Sequence, residues 1–86
     1  MQIVFHRKWD KAYENLDADI QEKVDERIQL FRKNPHHQLL QNHKLKGEWG
    51  GHRSINITGD VRAIYEPIDG GIVHFVAVGT HSELYG

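Results

Sequence analysis

The apolar residues of this chain keep one period in the first half and another in the second. That change limits the fold more than any other feature. From Trp9 the spacing is helical: Trp9, Ala12, Tyr13 and Leu16 stand at i, i+3, i+4 and i+7, on one helical face. Asp17 restarts the pattern as a candidate N-cap. Asp19 and Glu22 follow it, where the positive end of a helix dipole favours acids. Ile20, Val24, Ile28 and Phe31 form a second stripe, Arg32 and Lys33 suit a last turn, and Asn34-Pro35 stops it. The spacing predicts a helical hairpin, or one helix broken sharply near Leu16 and Asp17.

From Arg53 onward the period is two. Ile55 and Ile57 face one way, Ser54 and Asn56 the other. After a tight turn at Gly59-Asp60, Val61, Ala63 and Tyr65 alternate with Arg62, Ile64 and Glu66. The run "IVHFVAV" is apolar on nearly both faces, as a central strand is, and "DGG" before it supplies a hairpin turn. The short β-branched "QIVF" at the start reads as an opening strand. These elements predict an α+β fold in the order β-α-α-β-β-β, a single domain over residues 1–86, with the helical hairpin on one face of a small antiparallel sheet. If Ile55, Ile57, Val61, Ala63 and Tyr65 face the helices, then Ser54, Asn56, Arg62 and His74 point to the open face. The tail after Val78 emerges where it can fold over that face.

Composition closes off several chemistries. A chain of 86 residues has a modest core, since one this short buries only about 60% of its unfolded surface. There is no cysteine, so disulfides, thiolate metal sites and a cysteine nucleophile are excluded. No apolar run approaches the ~20 residues of a membrane span, and the first residues lack the apolar region of a signal peptide, so the expected location is cytoplasmic. A net charge of −1 argues against a strongly basic nucleic-acid binder. Charge is uneven, however: residues 36–62 hold four Lys/Arg, four His and two acids, and are the one locally positive stretch. His36, His37, His43 and His52 match no standard zinc spacing, and neither a metal nor another cofactor is expected.

The chain then ends "VGTHSELYG". Taken with "HKLKG", Arg53 and "GDVRAIYE", in this order after a helical hairpin, it resembles the RelE/ParE toxin superfamily, and within it the YafQ-like branch. The resemblance implies a toxin of a type II toxin–antitoxin system that cleaves messenger RNA on the ribosome and is held inactive by a cognate antitoxin. It implies site residues at His43, Ser54, Asn56, Asp60, His81 and Tyr85, and a phosphate-binding role for Arg62. Two positions depart from the family pattern, which often carries an acid at Ser54 and a histidine at Asn56. Neither residue here is an acid or base near neutral pH, although Asn56 can hydrogen-bond a phosphate or a base.

The implied residues suit metal-free RNA cleavage. The 2′-hydroxyl must lose a proton as it attacks phosphorus, and the 5′-oxygen must gain one as it leaves. Histidine titrates near neutral pH and serves both tasks, which places them on His43 and His81 with Asp60 to orient an imidazole. Arg62 offers a donor fork to the phosphorane oxygens, and Tyr85 can stack on a base. Ser54 and Asn56 complete the substrate-binding set. By residue type alone these positions have plainer readings: His43 a loop histidine, Asp60 a turn residue, Arg62 a solvated charge, His81 a solvated tail histidine, Tyr85 a C-terminal anchor over the core. Two other functions fit the same fold: a ParE-like toxin that binds gyrase without catalysis, and a member that only binds its antitoxin. A gyrase binder has no evident need for His43, His81 and Tyr85 together.

Overall fold

The computed structural model describes residues 1–86. Both helical stripes form helices, α1 at Arg7–Glu14 and α2 at Ala18–Lys33. Asp17 is the N-cap residue of α2 by its extended backbone, although its side chain makes no capping bond. His6 caps α1 instead, its Nδ1 accepting from the Lys8 backbone N–H at 2.9 Å. The break between the helices is therefore complete. No helix is long and apolar enough to cross a membrane.

Five strands make one sheet: β1 Gln2–Phe5, β2 His43–Lys44, β3 Arg53–Asn56, β4 Val61–Ile68 and β5 Ile72–Thr80. Their spatial order is β1-β5-β4-β3-β2. Three of the pairings are antiparallel, but β1 lies parallel to β5, with Ile3 opposite Val73 and Phe5 opposite Phe75. The all-antiparallel expectation is corrected here. The helical hairpin between β1 and the later strands carries the chain across the sheet, and a crossover of that length permits a parallel pairing. The turn between β4 and β5 is made by Gly70 and Gly71, both at positive φ (81° and 77°), which other residues rarely adopt.

The core lies between the helices and one face of the sheet. Trp9, Val24, Ile28 and Phe31 meet Ile55, Ile57, Val61, Ala63, Tyr65, Phe75 and Val78, so the alternation in the sequence assigns these sides correctly. Phe31 and Phe75 stand edge to face with centroids 5.3 Å apart. Past β5 a further helix, α3 at His81–Tyr85, turns back against that strand. Neither α3 nor β2 is among the elements predicted from the sequence, and both matter for the opposite face.

Candidate active site

Strand register builds the open face in rows. His43 lies opposite Ser54, Ser54 opposite Ile64, and Ile64 opposite Ala77. Directly opposed residues in a sheet share a face, so these four form one row. Two residues further along, about 7 Å by strand rise, Asn56, Arg62 and Gly79 form the next. β2 is short, yet it sets His43 beside Ser54. A backbone bond from the Leu45 N–H to the His52 carbonyl (3.0 Å) holds its loop closed.

Helix α3 lies beside the second row and is held at several points. Thr80 caps it with a reciprocal box: Thr80 Oγ1 accepts from the Glu83 N–H at 3.2 Å, and Glu83 Oε1 accepts from the Thr80 N–H at 2.7 Å. These bonds, the one from the backbone first, hold the Glu83 carboxyl below its ordinary range. Gly79 makes room for the box, since a Cβ there would stand 3.1 Å from Glu83 Oε1. The His81 N–H bonds to the Asp60 carbonyl at 3.1 Å, which ties the helix to the turn between β3 and β4. Trp49 Nε1–H donates to the Leu84 carbonyl at 3.1 Å, which ties it to the loop between β2 and β3. One turn apart on this anchored helix, His81 and Tyr85 bring their rings within 4.6 Å, tilted by 58°.

The individual side chains differ in what they have free. His43 is exposed, and its Nδ1 lies 2.8 Å from the Gln41 carbonyl. A carbonyl only accepts, so Nδ1 carries the proton in that bond and the neutral ring keeps its lone pair on Nε2. Gln41, the one non-glycine residue at positive φ (45°), aims that carbonyl. The guanidinium of Arg62 is fixed through Nη1 alone, which donates to the carbonyls of Thr58 (3.0 Å) and Gly59 (3.1 Å). Its Nη2 and Nε make no bond within the protein. Asn56 is half-buried beside it, while His81 and Tyr85 are exposed.

Two expected roles look different in three dimensions. Asp60 reaches His81 through its backbone carbonyl, and its exposed carboxylate bonds to neither imidazole. Ser54 is 0% exposed and its hydroxyl has no partner, so it does not reach a substrate where it stands. Ile64 beside it is also 0% exposed although it lies outside the main core. Trp49, Gly79 and Glu83 are the residues that sequence reasoning did not connect to the site. Thr80 with Glu83 three residues on is a readable capping-box signature. Nothing in the sequence pairs Trp49 with Leu84, thirty-five residues away.

The family model described as "Bacterial toxin of type II toxin-antitoxin system, YafQ" matches residues 1–86. The chain belongs to the YafQ toxin family. It is thus the toxin of a type II toxin–antitoxin system. Among solved structures, YafQ from E. coli strain BL21(DE3) superposes with a TM-score of 0.83 at 22% identity, covering 99% of this chain and 98% of that one. A YoeB/ParE toxin from Agrobacterium tumefaciens superposes at 0.76 with 26% identity, covering 94% and 99%. The E. coli DinJ-YafQ complex matches at 0.77 with 23% identity, covering 99% and 98%. No curated protein sequence matches the chain. The YafQ likenesses show that the fold is shared through both termini, α3 included.

Proposed function

We propose that this YafQ-family toxin is an endoribonuclease that cuts messenger RNA on the ribosome, with no metal in the chemical step. The observation that carries this reading is that an exposed imidazole and a half-committed guanidinium share one face of the sheet, with a second exposed imidazole on the helix anchored beside them. His43 and Arg62 are two strands and one row apart, ~12 Å between Cα atoms by sheet spacing, which leaves room for a sugar–phosphate unit. His43, with its lone pair on the outward Nε2, takes the proton of the 2′-hydroxyl as that oxygen bonds to phosphorus. Nη2 and Nε of Arg62 stabilise the phosphorane's charge, pre-set by the carbonyls that hold Nη1. His81 gives a proton to the 5′-oxygen as the P–O5′ bond breaks, and Tyr85 stacks on a neighbouring base. The products are a 2′,3′-cyclic phosphate and a free 5′-hydroxyl. Asn56 contacts the substrate, Asp60 anchors His81 through its backbone, and Ser54 floors the site from beneath.

A net charge of −1 gives little grip on free RNA, because nonspecific affinity comes mainly from neutralising phosphates. The ribosome therefore supplies substrate positioning. A cognate antitoxin restrains the toxin in the cell, a reading supported by the family and by the DinJ-YafQ complex among its structural neighbours. The decisive experiment incubates the purified toxin with ribosomes carrying a defined message, beside a gyrase supercoiling assay. Cleavage ending in a cyclic phosphate, with gyrase unaffected, is expected. An intact message with inhibited gyrase would replace this reading with the gyrase-binding one.

A further inference from the structure

The locally positive middle of the chain is not used up by the site just described. Lys44, Leu45, Gly51, His52, Arg53 and Pro67 line a cleft of about 270 Å³ at the β2 edge of the sheet, and no acid is among them. Lys44 follows His43 in β2, so the two side chains leave the edge strand on opposite sides. Lys44 lies opposite Arg53, which lies opposite the buried Tyr65, so this row is on the helix side of the sheet.

Arg53 is fixed from behind. Its Nε donates to Asn42 Oδ1 at 2.8 Å, and Asn42 Nδ2 in turn donates to the Tyr65 hydroxyl (2.8 Å) and the Pro35 carbonyl (2.9 Å). Both Nη atoms of Arg53 remain without a hydrogen bond or ion pair in the protein. Lys44 is unpaired too, the chain's ion pair being Lys23 with Glu26. A guanidinium locked through Nε and open at both terminal nitrogens, with an ammonium across from it and no carboxylate lining the cleft, is suited to a phosphate.

We propose that this cleft is a second RNA-backbone site, which takes a phosphodiester of the substrate strand flanking the one cut at His43. It rests on the endoribonuclease reading only for which strand it holds. The RNA turns around the edge of the sheet at β2, where only two residues separate the open face from the helix side. Lys44 and Arg53 then supply a grip that the net charge does not suggest, and they fix which bond faces His43.

The test uses the full chain and 2′-O-methyl oligoribonucleotides, which cannot be cut by 2′-hydroxyl attack. Affinity is followed by anisotropy against sodium chloride concentration. Each phosphate contact on a single strand contributes roughly −0.7 to the slope of log K against log salt. Lys44→Ala with Arg53→Gln should make the slope for an octanucleotide shallower by about 0.7, the share of the one phosphate in the cleft, and Lys44→Ala alone by part of that. Lys44→Arg should restore it, and Lys11→Ala, on the helix α1 that packs against β5, should leave it unchanged. Unchanged slopes in correctly folded variants, or no measurable octanucleotide binding by wild type at low salt, would each overturn the proposal. If the slopes shift as expected but wild type cuts no message on ribosomes, the cleft stands and the nuclease reading falls.

Discussion

Ser54 carries a hydroxyl into a place that offers it nothing. It is fully buried, its Oγ has no partner, and its neighbour across the sheet is the equally buried Ile64. Leaving a buried polar group unsatisfied costs about 1–3 kcal/mol, and the site does not recover that cost through substrate contact as folded. Ser54→Ala should therefore raise stability by about 1 kcal/mol, read as a shift in denaturant midpoint at unchanged slope. A loss of stability would mean that the hydroxyl has a partner after all. His81 is the opposite case: exposed, outside the core, and bonded through its backbone alone. His81→Ala should leave stability nearly unchanged and slow message cleavage roughly 10²–10⁴-fold, the usual loss for one general acid or base. That corresponds to about 3–5 kcal/mol of transition-state stabilisation. If His81→Ala cuts as fast as wild type on ribosomes, α3 is only a cover over the sheet.

At the scale of elements, α3 decides where His81 and Tyr85 stand, although five residues cannot hold a helix by themselves. The capping box and the Trp49–Leu84 bond do that instead. Trp49→Phe keeps an aromatic ring but loses the donor, a bond worth about 0.5–1.5 kcal/mol net. The expected result is faster hydrogen exchange at the α3 amides and a several-fold slower single-turnover rate, with the core still protected. The box adds a pH dependence of known sign. Glu83 has its pKa lowered from 4.5 on folding, so its contribution is present above that value and lost as pH falls through the lower folded one. Fraying of α3 below about pH 4.5 should follow in wild type and be missing in Glu83→Gln, measured by exchange at the same amides. These short elements also mark what the sequence conceals. α1, α2, β3, β4 and β5 were legible because each is long enough to show a period, and the same parity placed Asn56 and Arg62 on the open face. Two residues of β2 have no period to read. The side of β1 that pairs, and in which direction, is set by the crossover. The burial of Ser54 is a property of the assembled fold, not of its place in the alternation. That is why parity gave its face correctly and its exposure wrongly.

The whole molecule combines a sheet with two free edges, β1 and β2, and a nearly neutral charge with seven histidines. Only the β2 edge lies in the locally positive stretch, and it presents His43 to one side and Lys44 to the other. No three His, Asp or Glu side chains gather as a metal-ligand set anywhere in the fold. In the mechanism proposed above, the acid, base and charge-stabilising tasks fall to side chains that the fold holds one by one, His43 by Gln41, Arg62 by Thr58 and Gly59, His81 by Asp60. That mechanism predicts cleavage without a divalent cation in the chemical step, because His43, His81 and Arg62 supply base, acid and charge. Ribosomes need magnesium for their own structure, so the measurement belongs on a short RNA with excess toxin, in a single turnover, with chelator present. Slow cleavage at an unchanged rate, ending in a cyclic phosphate, is expected. Activity that vanishes with chelator and returns with zinc or manganese would mean that the metal does the work assigned here to His43 and Arg62, and the proton transfers would have to be rebuilt around it.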